Sequence, residues 1–178
     1  MKKKLPLFVI ILTFGIVALF SLSFKENELN YSHCPFCDPN IIENQKFYED
    51  DLVIALYTHK PIFPGHSLII PKRHVERFEM LLDEEIMQMG KVIKRVNQAA
   101  KKVFSSSSYL LLQKNGKESG ETVPHVHFHY IPRQTGDKSS LKFIFKMYMA
   151  NFSNPISSNE MQEIVTKMKK AMETEQAA

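Results

Sequence analysis

The segment "PHVHFHYIPR" (residues 124–133) sets His125, His127 and His129 at every second position, three of the seven histidines in the chain. In an extended strand, residues two apart point to the same side, about 7 Å from one another. The three imidazoles therefore share one face, and Val126, Phe128 and Tyr130 cover the other as core residues. Strand surfaces ordinarily use threonine, lysine, glutamate or serine, so a row of imidazoles points to chemistry. Two kinds fit: metal chelation by a His-x-His pair, or nucleophilic attack. Neutral imidazole is a good nucleophile toward phosphorus, and its ordinary pKa of about 6.5 leaves it mostly neutral near pH 7. A protonated neighbour would then stabilise charge on the phosphate. The preceding loop, "KNGKESGET" (114–122), favours phosphate. Gly116 and Gly120 allow backbone amides to approach an anion, and Lys114 and Thr122 add side-chain donors.

A second group of reactive residues is "CPFC", with Cys34 and Cys37. Two cysteines make no disulfide framework. The pair reads as a redox motif, a single structural disulfide or part of a zinc site. A thioredoxin-like redox pair needs a strand directly before it, and only the polar stretch "KENELNYSH" (25–33) stands there.

The elements that must position these residues follow from the pattern. "KFYE" (46–49) and "LVIALYT" (52–58) read as strands, with "DD" as their turn, and "SLIIP" (67–71) as a third. From Asp83, Ile86, Met89, Ile93, Val96, Ala100, Val103 and Phe104 recur at helical spacing. Asp83 is expected to cap that helix and Leu82 to staple it to Met87. "YLLLQ" (109–113) reads as a buried strand, while "LKFIFKMYM" fits strand or helix. A C-terminal helix is expected over 157–175, with Ser157 and Glu160 at capping-box spacing and a stripe of Met161, Ile164, Val165, Met168 and Met172.

Composition agrees with one globular domain: 44% hydrophobic and 24% charged residues in 178. The net charge of +4 reflects two short basic clusters, which do not make a nucleic-acid surface. Ahead of the domain, the basic start Lys2–Lys4 and the apolar run Leu5–Phe24 predict a membrane segment. About twenty helical residues at ~1.5 Å each span a ~30 Å hydrocarbon core. Residues 1–24 are thus expected to be a transmembrane anchor or signal peptide, 25–33 a linker and 34–175 the domain. The positive end should stay in the cytoplasm, leaving the domain membrane-anchored and extracytoplasmic, or secreted or periplasmic after cleavage.

"NGKESGETVPHVHFHYIPR" resembles the signature of the histidine triad (HIT) superfamily, and "CPFC", "FYEDD" and "PGHSLIIPKRH" match it in order. The resemblance covers about residues 34–133. It implies an α+β, HIT-like fold, with an antiparallel sheet, one long helix and a C-terminal helix, and often a homodimer. It implies a nucleotidyl hydrolase or transferase acting at the α-phosphate of a phosphoramidate, phosphosulfate or dinucleoside polyphosphate. On that resemblance His127 is the nucleophile, and His129 and His66 complete the polar cluster. Lys114, Asn115, Gly120, Glu121 and Thr122 bind substrate. Cys34 and Cys37, with His74 and His125, hold a structural zinc, which the resemblance favours over a disulfide. Three positions depart from the family: Lys114 replaces an amide, Glu121 replaces a common glutamine, and Thr58 stands where many relatives hold the ribose with an aspartate. Two rivals remain at this level: a non-catalytic nucleotide-binding module, and an extracytoplasmic thiol oxidoreductase using the cysteine pair.

Overall fold

In the computed structural model, the structure describes residues 34–136 and 140–174. The chain divides into two units, 1–34 and 35–178. Every element described here belongs to the second.

The elements run α1 (Pro39–Gln45), β1 (Lys46–Glu49), β2 (Val53–Tyr57), β3 (Ser67–Pro71), α2 (Asp83–Phe104), β4 (Ser108–Gln113), β5 (Phe128–Arg133), α3 (Ser140–Met149) and α4 (Ser158–Thr174). The strands form one antiparallel sheet in the order β1-β2-β3-β5-β4.

Both faces of the sheet centre are covered, which is why β2 and β3 read as continuous apolar runs and are buried at every position. One face carries Val53, Ala55, Tyr57, Ile69 and Tyr130 against α2 and α4. The methionine stripe of α4 lies in this core through Met161, Met168 and Met172, with Ile164 packed at its margin. The other face carries Ile54, Leu56, Leu68 and Ile70, covered by Ile42 of α1 and by Phe36. Burial on this scale, at about 25 cal/mol per Å² of apolar surface, drives the fold.

The start of α2 differs from expectation. Leu82 occupies the cap position, and the carboxylate of Glu85 accepts the Leu82 N–H at 2.8 Å and pairs with Arg73. Asp83 is the first helical residue, where its charge meets the positive end of the helix. Leu82 and Met87 are both exposed, so no staple joins them. "LKFIFKMYM" is helical, as α3. The Ser157 hydroxyl accepts the Glu160 N–H at 3.2 Å, as the capping box predicts for α4.

The expected membrane segment requires a correction. Among the described residues no helix is long and apolar enough to cross a membrane. The longest, α2, has 22 residues and carries charges along its length, so it is amphipathic. Residues 1–24, where the segment was expected, and the 25–33 linker lie outside the described residues. The anchored, extracytoplasmic placement expected from that segment is therefore not supported.

Candidate functional site

The histidine row forms as alternation requires, although regular strand begins only at Phe128. Val126 and Tyr130 are buried in the core. The Val126 N–H donates to the Val75 carbonyl at 2.6 Å, so His125 and His127 stand on an extended lead-in to β5. His129 lies within the strand, opposite Leu68 of β3 and Leu112 of β4. His66 joins the row from the loop before β3. That loop turns at Gly65, whose φ is +90°; a Cβ there would come within 2.8 Å of the Phe104 and Pro132 rings, so no side chain fits.

A chain of hydrogen bonds fixes which ring nitrogens carry protons. His66 Nδ1 accepts the Ile62 N–H at 3.2 Å, so its proton is on Nε2. Nε2 lies 3.0 Å from His129 Nδ1 and donates to it, which puts the His129 proton on Nε2. His127 Nδ1 lies 2.6 Å from the His125 carbonyl and can only donate there, which leaves Nε2 with its lone pair. The His127 and His129 rings meet edge to face at 4.9 Å.

Burial pushes all three imidazoles down, His66 to about 4 and His129 to about 3. For His129, the His127, His66 and Lys114 charges add to burial. His127 is lowered by burial and Lys114, against the opposing pull of the His125 carbonyl and Glu121. The protonated neighbour expected from spacing is therefore not the resting state: the cluster is neutral and offers N–H donors. These shifts carry a sign for stability. A histidine whose folded pKa is lowered binds its proton first in the unfolded chain, so stability falls as pH drops below ~6.5. Between pH 7 and 5 the free energy of unfolding should fall by about 2 kcal/mol each for His66 and His129, read as a lower urea midpoint. His129→Phe should flatten that slope by one proton.

The row opens on a hollow of about 780 Å³. His66, His127, His129, Lys114 and Thr122 all line it, as does Thr58. Among the described residues no carboxylate does. Lys114 Nζ also donates to the Gly120 carbonyl at 3.1 Å, closing its own loop. Other expected residues are placed differently. Asn115 is tied away from the hollow: its side chain accepts the Phe78 N–H and donates to Glu79, both at 2.8 Å. The amides of Gly120 and Glu121 bond within the loop, to Lys117 and Gly116, so they do not cradle an anion here. Glu121 does not line the hollow; its Oε1 is buried with no hydrogen-bond partner, and its charge acts on His127. Phe36, whose ring meets those of His125 and His127 at 5.8 and 5.2 Å, was not expected. Its only signal was its place inside "CPFC". His59 lines the hollow as well. His33 lies outside the described residues.

His125 faces away from this chemistry. Its Nδ1 lies 3.6 Å from Cys37 Sγ, and His74 Nδ1 lies 3.4 Å from the same sulfur. Cys34, Cys37, His74 and His125 each offer one ligand atom, all within 4.8 Å of one another. The cysteines are not disulfide-bonded. His125 Nε2 donates to the Pro71 carbonyl at 3.0 Å, which turns an unprotonated Nδ1 toward the sulfurs, and burial lowers its pKa to about 4. These four residues can hold a metal ion, and two sulfurs with two imidazoles are the donor set of a closed tetrahedral site.

An antiparallel five-stranded α+β sheet with a histidine row on its second-face hollow defines the class. The HIT domain family matches residues 40–136, more than half of the chain. The chain belongs to the HIT family. It is 37% identical over 113 residues to a bis(5'-nucleosyl)-tetraphosphatase of Schizosaccharomyces pombe, covering 64% of this chain and 62% of that protein. It is 32% identical over 108 residues to a bifunctional bis(5'-adenosyl)-triphosphatase/adenylylsulfatase of Arabidopsis thaliana, covering 61% and 58%. The chain thus spans less than two thirds of either relative. A zinc-bound histidine triad protein of Mycobacterium smegmatis superposes with a TM-score of 0.64, covering 83% of this chain and 98% of that one; at 24% identity this shows the fold alone.

Proposed function

We propose that the chain is a nucleotide hydrolase or transferase that works through His127 Nε2. The observation that carries this is the His127–His125 hydrogen bond, which leaves a neutral nucleophile lining a hollow shared with Lys114 and Thr122. Family membership and the hydrolase names of its relatives support the same reading. Nε2 attacks the α-phosphorus, a P–N bond forms, and the leaving group departs with the electrons of its bond to phosphorus. Lys114 and the His129 N–H face the charge that builds on the phosphoryl oxygens. Water then attacks phosphorus, the P–N bond breaks, and the lone pair returns to Nε2 as nucleotide and a proton leave. Cys34, Cys37, His74 and His125 would hold a zinc ion, which supplies a structural tie between the chain before α1 and the lead-in to β5. The exposed apolar edge of β4, at Tyr109, Leu110 and Leu111, supports a homodimer.

The test is capture of the adduct. Brief mixing with an α-³²P-labelled dinucleoside polyphosphate, quenched in alkali, should label the chain at His127. A phosphoramidate survives base and is lost in acid. Label stable to acid, or absent while turnover proceeds, would remove the covalent route.

A further inference from the structure

The hollow has a wall that the family match does not include. Helix α3 begins at Ser140, beyond residue 136 where that match ends, yet Ile144, Met147 and Tyr148 line the hollow beside the histidines. The helix is fixed in place. Phe143 stacks face to face on Phe63 at 6.0 Å with 4° between the rings. The Arg133 guanidinium lies 4.7 Å from the Phe143 ring and 5.4 Å from the Phe63 ring, and Lys146 Nζ lies 4.5 Å from Phe63. These cation–ring contacts pin α3 both to the loop before β3 and to the end of β5. After the helix, the Ile156 N–H bonds the His59 carbonyl at 3.0 Å, which holds the returning chain against the same loop.

The wall opposite is apolar too. Leu112 and Ile131 rise from β4 and β5 on the histidine side of the sheet. Ile144 is 57% exposed and Tyr148 64% exposed, so apolar surface inside a hollow with cationic and imidazole groups is left to water. A ligand that spans from those groups to α3 would bury it. A small inorganic or hydrophilic group on phosphorus would gain nothing there, whereas a flat aromatic body fits the tyrosine, isoleucine and methionine.

We propose that α3 is the specificity element of this site: Ile144, Met147 and Tyr148 take up the organic group carried by phosphorus and select aromatic or apolar groups over small hydrophilic ones. This rests on the hollow holding a phosphoryl group, as in the function proposed above. The full chain, titrated by calorimetry with two non-hydrolysable probes, tests it. 1-Naphthylmethylphosphonate should bind about tenfold tighter than methylphosphonate. In the double variant I144N/Y148S that advantage should vanish while methylphosphonate binds as before. Both positions are exposed, and a thermal melt confirms that the variant is folded. Equal affinity of the two probes in the wild type, or an advantage that persists in the variant, overturns the specificity role and leaves the His127 reading standing. Failure of both probes to bind the wild type overturns the phosphate site and this proposal together.

Discussion

Replacing His127 with asparagine should lower kcat/KM for a dinucleoside polyphosphate by about 10⁴-fold or more, roughly 5.5 kcal/mol of transition-state stabilisation. No other described side chain offers the same combination. His127 lines the hollow, and its Nδ1 is engaged at the His125 carbonyl, so Nε2 keeps a lone pair at neutral pH. His129 is tied differently. It accepts at Nδ1 from His66, so its Nε2 carries the proton and serves as a donor. His129→Gln, which retains an N–H donor, should therefore cost much less than His127→Asn, within about 10²-fold. Asparagine is suited to the test because His127 is only 4% exposed, and alanine would leave a cavity against Phe36. Steady-state rates on both variants, with melting curves to show that each is folded, decide the matter. Near-normal turnover in His127→Asn would end the covalent reading; nucleotide binding without turnover in the wild type would point to a sensor instead.

Protein purified without added metal should carry about one zinc per chain, and stripping it should lower the Tm by roughly 10 °C. Binding at a free concentration a thousand times Kd contributes about 4 kcal/mol, and each kcal/mol is worth about 2–4 °C in a domain of this size. Cys37→Ser should lose the metal and show the lowered Tm from the outset, because Cys37 Sγ stands between both imidazoles. Activity should fall as well, for a reason found in His125. Its ring turns Nδ1 to the sulfur and Nε2 to the Pro71 carbonyl, while its own carbonyl fixes the proton of His127. Loosening His125 releases the nucleophile's tautomer along with the metal. Elemental analysis and melting with and without chelator read this directly. A metal-free chain whose Tm ignores both chelator and Cys37→Ser would refute the zinc site, and a redox-active Cys34–Cys37 pair would then be the better account.

The sequence by itself determined what depends on local periodicity. Alternation at 125–130 placed imidazoles on one side and Val126 and Tyr130 in the core, because strand geometry leaves a side chain only two faces. Helical spacing placed α2 and α4, and their buried stripes agree with it except at Ile86, which is exposed. "CPFC" and the resemblance brought His74 and His125 to the cysteines, although Cys37 lies 37 and 88 positions from them, and the clustered ligand atoms agree. Only the tertiary structure decided the rest. Asn115 sits in the phosphate loop by sequence, but Phe78 and Glu79 meet both ends of its amide and draw it from the hollow. Spacing suggested one charged neighbour for the nucleophile; burial of every ring in the cluster makes them neutral donors instead. Phe36, His59 and the wall of α3 come from segments up to more than a hundred residues apart, and no local pattern marks them. A period in the sequence records which side of an element a residue takes. The walls of a hollow, and the dielectric inside it, exist only once distant elements have packed.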